Sequence, residues 1–558
     1  MRRWQSLRFG AMMVCLLVGL SAGCKGNLQQ RRAGARELTP TRGYILISID
    51  TLRADHLGAY GYARDTSPVF DRLAERGTLF EWAVAQYPAT LTSHMSIFTG
   101  VYPQEHQVLP PSTVLAESIE TLPEHFQAHG FRTAGHTEGG FVAGGYGFRR
   151  GFDEFTDSAY RSDTDVERTF ERGLEFLRGL RDDDRFFLFL HTYSVHDPYA
   201  PPDRYREMFW SAEPPDTFDS SGKNLRQVNQ GEMEIATETV EYFEAMYDAS
   251  IRYVDDVLGG FLDELESMGL LDETTLMVTS DHGEEFLEHG KLAHTQVYPE
   301  SLRVPLLVWL PQQPTPHRVT ELVETVDIAP TLYELAGLPA APQVSGRSLV
   351  PQLERVSGSP RASEGYSEVF DVEFVRTLLA QDRDRRYQLL MVEPEWDPVG
   401  PWIRDSVTFD TAKKKLAFQA QSFHVPRQIR IEIDGQPQGE LEMTPGWSPV
   451  EIELPGGRSI YRVTLSADGC VSPAAVGEGE DGRCLAFQVR GFMPRRFELY
   501  DLVEDPNAEV DLFRSQARIR RRLSDRLLAL EWSPLAQAGE RPLSEADEAT
   551  LRALGYLD

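Results

Sequence analysis

Residues 44–50, YILISID, form an apolar run, interrupted only by Ser48, that stops on an aspartate. A strand with one wet face alternates apolar and polar residues. A run this continuous fits a strand covered on both faces, as in a parallel sheet. The stretch SPVFDRLAERG (67–77) that follows has helical spacing and a glycine stop. Further on, FRTAGH (131–136), RFFLFLH (185–191) and TTLMVTSDH (274–282) are again apolar or β-branched runs ending in polar residues. A long helical pattern, EYFEAMYDASIRYVDDVLGGFLDELESMG (241–269), lies among them, with Asp255 and Asp256 expected on its solvated face. Strands alternating with helices predict an α/β fold, a doubly wound and mostly parallel sheet with helices on both faces.

At 558 residues the chain exceeds what one compact core holds. Its net charge of −30 excludes a nucleic-acid surface, which needs a basic stripe, and leaves room for cations. Arg2, Arg3 and Arg8 precede FGAMMVCLLVGL and then SAGC, a basic start with an apolar run too short to span a bilayer. LSAGC, ending at Cys24, resembles a bacterial lipoprotein signal. That resemblance implies an exported chain, periplasmic or at the cell surface, attached to the membrane through a lipidated Cys24. We therefore read residues 1–24 as leader and 25–42 as a polar tether. A catalytic domain is expected over 43–345, and a C-terminal α/β subdomain over 346–402 and 493–558. Within that subdomain, 403–492 reads as an inserted antiparallel β-sandwich, because RQIRIEIDG, SPVEIELPGG and SIYRVTLSADG are short alternating strands with Gly and Asp turns. Cys470 and Cys484 bracket VSPAAVGEGEDGR, where an oxidising compartment favours a disulfide.

Three of the buried runs end in candidate metal ligands or bases: Asp50, then His191 and His196, then Asp281 and His282. The carboxyl ends of strands in a doubly wound sheet form its ligand crevice, so these distant residues can converge. A lone aspartate after a strand is most often a helix N-cap. An Asp-His pair followed by Gly-Glu-Glu, with histidines again at 289 and 294, is not explained by capping. Carboxylates with imidazoles suit a divalent cation: zinc, or a harder ion such as calcium or manganese where oxygens dominate. His136 sits among glycines that carry no phosphate-loop lysine and give no nucleotide signal.

The blocks IDTLRADHLGAYGYARDTSPVFDRLAERG, TSHMSIFTGVYP, HTYSVHDPYAPP, TSDHGEEFLEHGKLAHTQVYPESLRVPLLV, ELYDLVEDPNAEVDL and LRALGYLD resemble sulfatase-family sequences, of the alkaline phosphatase superfamily. The resemblance spans about 41–400 and 495–558. The departures from it fall at the chemistry. Sulfatases carry Cys or Ser in C/S-x-P-S-R about ten residues before Thr-Gly, and oxidise it to formylglycine. Counting back from Thr99-Gly100 puts Thr90 there, with Thr92 for the proline and His94 for the arginine. Threonine cannot yield formylglycine, since its secondary alcohol oxidises to a ketone. The paired aspartates of sulfatases are here Asp50-Thr51, the Lys-x-His of the glycine-rich block becomes 136-HTE-138, and His294 replaces a lysine.

What remains resembles phosphoethanolamine transferases and nucleotide phosphodiesterases, which use a threonine nucleophile. That resemblance implies Asp50, Thr90, Asp281 and His282 as ligands of one metal ion. Thr90 would also be the nucleophile, and His196 and His294 would hold the transferred group or a second ion. His94, His191 and Lys291 are candidate substrate contacts. No formylglycine is expected. The implied activity is metal-dependent hydrolysis of sulfate or phosphate esters on a small molecule, glycan or lipid. The alternatives are an envelope phosphoryl-group transferase or a non-catalytic binding protein on the same fold.

Overall fold

The computed structural model describes residues 38–553, apart from 158–164, 216–221, 312–315, 355–362, 371–372, 383, 395–401, 404–405, 456–459, 478–484, 491–493 and 531–532. The expected leader, Cys24 and the closing residues 554–558 lie outside the described residues.

Eight strands form the central sheet, in the spatial order His317–Glu324, Thr78–Val84, Arg303–Trp309, Thr274–Thr279, Gly43–Ile49, Phe186–Thr192, Arg132–Thr137 and Glu154–Asp157. All run the same way except Arg303–Trp309, which pairs antiparallel with both neighbours. The mostly parallel sheet expected from the apolar runs is present, and its one reversed strand lies inside the sheet.

Side chains of the Gly43 strand alternate between two cores, because successive residues of a strand face opposite ways. Tyr44 and Leu46 join Phe98, Phe126 and Tyr333, which belong to helices Thr90–Thr99, Leu122–Ala128 and Ile328–Leu335. Ile45, Ile47 and Ile49 join Phe70, Phe170, Tyr247 and Phe261, from helices Pro68–Ala74, Asp165–Arg178 and Thr237–Ser267. Covering both faces explains why YILISI carries no polar residue until Ser48.

The 31-residue helix Thr237–Ser267 buries Tyr247, Ile251, Val254, Leu258 and Leu265, which share one stripe at helical spacing. Asp255 corrects the expectation of a solvated face. It is buried, and its two carboxylate oxygens accept from the Val69 and Phe70 backbone N–H groups at 2.7 and 2.8 Å. It therefore caps the helix Pro68–Ala74, whose own N-cap Ser67 makes no side-chain capping bond. Asp256 is exposed, as expected, and pairs with Arg252.

After the central sheet, Ser363–Phe370, Glu373–Asp382, Arg385–Pro394 and Arg496–Asp501 make an antiparallel sheet backed by the helix Ala517–Leu528. Its last two strands are neighbours, yet two further four-stranded antiparallel sheets intervene between them in sequence. These pack their inward Phe409, Phe418, Ile429, Ile452, Val463 and Phe487 against one another as a sandwich. Asp434 and Gly435, both at positive φ (53° and 73°), turn one of its hairpins. Cys470 is disulfide-bonded; its expected partner, Cys484, lies outside the described residues. No helix among the described residues is long and apolar enough to cross a membrane.

Candidate active site

The three central strands Thr274–Thr279, Gly43–Ile49 and Phe186–Thr192 are parallel neighbours, so their carboxyl ends open side by side. The Asp50 N–H donates to the Thr192 carbonyl at 3.0 Å, which holds Asp50 at the mouth of this gap. Asp281 and His282 emerge from the next strand on a tight turn. A Cβ at Gly283 would lie 1.9 Å from the Glu300 carbonyl oxygen, so the turn requires glycine. His282 Nδ1 lies 3.0 Å from the Gly283 carbonyl and must donate to it, which leaves Nε2 with a lone pair.

That Nε2 is the centre of the cluster. It lies 3.3 Å from Thr90 Oγ1, 3.3 Å from Asp281 Oδ2 and 4.0 Å from Asp50 Oδ1. All four residues are fully buried, and Asp281 Oδ2 has only the His94 Nδ1 and His282 Nε2 nitrogens beside it, each at 3.3 Å. Two buried carboxylates this close together are costly unless a cation lies between them. Separations near 3.3 Å match those between donors on a tetrahedral ion with bonds of roughly 2.0–2.1 Å. The donor set therefore fits a divalent cation. Burial pushes the Asp50 carboxyl well up, reinforced by Asp281 and Glu284. Burial raises Asp281 too, but His282, His94 and His191 overcome it and hold that carboxyl below its usual value.

Thr90 opens the helix Thr90–Thr99, whose exposed N–H groups and dipole favour negative charge beside it. The other hydroxyls of the helix are committed elsewhere. Thr92 donates to the Val108 carbonyl (3.0 Å) and Ser93 to the Asp281 carbonyl (2.7 Å), while Ser96 bonds His106 (3.1 Å). Thr99 donates to the Met95 carbonyl (2.6 Å), so Thr90 alone of the five meets His282.

His196 and His294 approach Nε2 to Nε2 at 3.3 Å. Their Nδ1 atoms donate to the Asp197 carbonyl (2.5 Å) and the Pro88 carbonyl (3.0 Å). Two imidazoles locked this way aim two lone pairs at one point, which takes a single cation: a shared proton or a second metal ion. The His282 and His294 rings are 4.3 Å apart, so this pair adjoins the first cluster. Burial holds His196 at about 4, and burial followed by His282 and His196 holds His294 well below the usual range.

His191 and His94 stand on the sheet side of the cluster. His191 Nε2 donates to Asp50 Oδ2 at 3.1 Å, and its Nδ1 has no partner. His94 Nδ1 donates to the Thr90 carbonyl (2.9 Å), and its Nε2 accepts from Ser48 Oγ (2.9 Å). Asp50, His94 and His191 also form a compact group of potential ligands. Both nitrogens of His94 are already used within the protein, so of the two groups Asp50, Asp281 and His282 fit a cation better.

Other candidates fall outside the cluster. Lys291 lines a cavity of about 170 Å³ with Thr295, Gln296, Tyr298 and Arg496, where loop 291–298 meets the C-terminal sheet. None of the clustered residues lines that cavity. His289 stacks on Tyr298 at 3.6 Å and bonds Glu300 Oε1, a structural role. His136 bonds Thr156 Oγ1 across adjacent strands. Sequence reasoning did not find Ser48, Thr51 or Glu284. The Thr51 N–H donates to Asp281 Oδ1 at 3.3 Å, and Glu284 is fully buried with its carboxyl pushed well up by burial and then Asp197. Their one sequence signal was adjacency to Asp50 and to the Asp281-His282 pair.

Residues 42–338, more than half the chain, match the family model described as Sulfatase. Residues 287–392 match that described as N-sulphoglucosamine sulphohydrolase, C-terminal. Iduronate 2-sulfatase of Mus musculus is 22% identical over 498 residues, 72% of this chain and 86% of that protein. Arylsulfatase K of Bos taurus is 37% identical over 112 residues, 20% of this chain and 21% of that protein. Among solved structures, a protein in complex with its substrate D-glucosamine-2-N,6-O-disulfate superposes with a TM-score of 0.59 at 16% identity, covering 88% of this chain and 97% of that one. Phosphonate monoester hydrolase of Agrobacterium radiobacter gives 0.56 at 16% identity, covering 88% and 95%. At these identities the two structures show a shared fold.

Proposed function

Since the chain belongs to the sulfatase family, within the alkaline phosphatase superfamily, we propose that its hydrolysis of ester bonds runs through a covalent intermediate on Thr90. The observation that carries this reading is the placement of Thr90 Oγ1, buried at a helix N-terminus and 3.3 Å from His282 Nε2, a nitrogen that itself lies 3.3 Å from Asp281 Oδ2 and 4.0 Å from Asp50 Oδ1. Asp50, Asp281, His282 and Thr90 would hold a divalent cation, which when bound lowers the pKa of a hydroxyl beside it and screens the anionic substrate.

The chain's own groups supply the rest. Thr90 Oγ gives its proton to the neutral His196–His294 pair and attacks the phosphorus or sulfur in line, forming a new ester bond as the bond to the leaving oxygen breaks. The pair delivers that proton to the leaving oxygen. Water then attacks the phosphorus or sulfur of the Thr90 ester and gives a proton to the same pair, which passes it to Thr90 Oγ as the bond to Thr90 breaks. A formylglycine hydrate can expel sulfate by losing the proton of its second hydroxyl. A threonine ester has no second hydroxyl and must be opened by water at the central atom, which favours phosphoryl over sulfuryl chemistry at this site.

The substrates we infer are phosphate or sulfate esters of small molecules, glycans or lipids. The resemblance of LSAGC, ending at Cys24, to a lipoprotein signal supports an exported, lipid-tethered enzyme. A phosphoryl-group transferase would use the same first half-reaction and replace water with an acceptor alcohol.

The test assays metal-loaded protein on p-nitrophenyl phosphate, bis(p-nitrophenyl) phosphate and p-nitrophenyl sulfate, with Thr90→Ala alongside. Turnover of a phosphate ester that vanishes in Thr90→Ala is expected. Sulfatase turnover that survives the substitution would overturn the nucleophile assignment.

A further inference from the structure

His94 and His191 stand where a substrate contact would be sought, but their hydrogen bonds are directed into the protein. Ser48 and His191 are register partners on adjacent parallel strands, so they stand side by side. Ser48 and Asp50 lie two residues apart in an extended chain, which puts them on one face. His94 lies four residues beyond Thr90, on the same side of the helix. It bridges these elements, bonding the Thr90 carbonyl with one nitrogen and Ser48 with the other. Its ring also meets the His191 ring edge-on at 4.8 Å. Ser48, His94 and His191 thus form a continuous layer beneath the cluster, one that grips Asp50 Oδ2 and the backbone of Thr90. Asp50 Oδ1 and Thr90 Oγ1 are left facing His282.

We propose that His94 and His191 are positioning residues that form the floor of the cation site, His191 aiming Asp50 and His94 tying the Thr90 turn to the sheet through Ser48. They set metal affinity and make no contact with substrate. The inference rests on the reading of Asp50, Thr90, Asp281 and His282 as the ligand set. Its readout is metal binding itself, which does not depend on which ester is cleaved.

Groups that orient metal ligands from behind typically contribute ten- to a hundredfold to metal affinity. The experiment titrates metal-stripped full-length protein with zinc against a chromogenic chelator, comparing wild type with His191→Phe, His191→Gln, His191→Asn, His94→Leu and His94→Asn. A glutamine amide nitrogen reaches the place of imidazole Nε2, and an asparagine amide nitrogen that of Nδ1. His191→Phe and His94→Leu are expected to weaken zinc binding roughly ten- to a hundredfold. His191→Gln should recover most of that loss and His191→Asn should not, while His94→Asn, which keeps the bond to the Thr90 carbonyl and loses the one to Ser48, should recover only part of it. The KM of zinc-saturated protein for bis(p-nitrophenyl) phosphate should stay put.

Undiminished zinc affinity in His191→Phe and His94→Leu would overturn the proposal, as would a raised KM at unchanged affinity, which marks a substrate contact. If either apolar variant does not fold, the proposal still stands or falls on whether glutamine outperforms asparagine at position 191. Should no ester be turned over, the reading of the reaction fails while the zinc titration still decides the role of the two histidines.

Discussion

At the scale of single residues, Thr90 and Thr51 carry the departures from sulfatase chemistry. Thr90→Ser keeps a hydroxyl in place and should retain turnover, whereas Thr90→Ala should lose at least a thousandfold in kcat, as removal of a nucleophile does elsewhere. Steady-state kinetics on the best aryl ester separates the two. Thr51 has a φ of 56°, in the left-handed region that β-branched residues rarely occupy. Its N–H donates to Asp281 Oδ1, and its buried hydroxyl has no partner. Aspartate tolerates that region better and would restore the second carboxylate of sulfatases, adding an oxygen ligand beside Asp50. Thr51→Asp is therefore expected to raise calcium affinity relative to zinc, as read by calorimetry; an unchanged ratio counts against a cation at Asp50. As candidate ligands, Asp50, Asp281 and His282 were legible in the sequence because each follows a buried strand, and Thr90 because of its spacing from Thr99-Gly100. The inward bonds of His94 and His191 were not, because they depend on which nitrogen faces which element.

Among the elements, the short helix Pro68–Ala74 depends on a cap from a residue 186 positions away in sequence. No local pattern announces such a cap, which is why Asp255 looked like part of a charged surface. Its carboxylate satisfies two N–H groups that would otherwise be buried without partners. Asp255→Ala should cost about 1–2 kcal/mol in chemical denaturation, in line with other lost helix caps. Asp256→Ala, on the exposed side, should stay within about 0.5 kcal/mol. The reversed strand Arg303–Trp309 was hidden for a different reason. RVPLLVW is apolar because the strand is covered on both faces, and an apolar run carries no mark of direction.

For the whole molecule, several buried carboxyls take up protons on folding. Burial pushes Asp255 and Glu368 up to about 7, raises Glu324 together with the nearby Asp327, and raises Asp327 as well. An acid whose folded pKa lies above its unfolded value contributes stability that is full below the unfolded pKa and is lost as pH rises through the folded one. The buried histidines His106, His136 and His196, held at about 3 to 4, oppose this effect below their unfolded value near 6.5, so thermal unfolding of the metal-free protein should show Tm falling as pH climbs from about 6.5 to 8; a rise across that window would contradict the burial of these carboxyls. The sandwich offers a second test at this scale. The strands Arg385–Pro394 and Arg496–Asp501 that flank it pair directly, with Val392 opposite Arg496, so a tight turn can join them. Replacing 395–495 by such a turn should leave a folded protein that still hydrolyses small aryl esters.

The central claim is a covalent ester on Thr90, and the most direct measurement is acid quench of metal-loaded enzyme during turnover of bis(p-nitrophenyl) phosphate, followed by peptide mass spectrometry. The expected result is one substituted phosphoryl group on the peptide containing residues 87–100, mapped to Thr90 and absent from Thr90→Ala. An adduct on another residue, or full turnover by Thr90→Ala, would contradict the account.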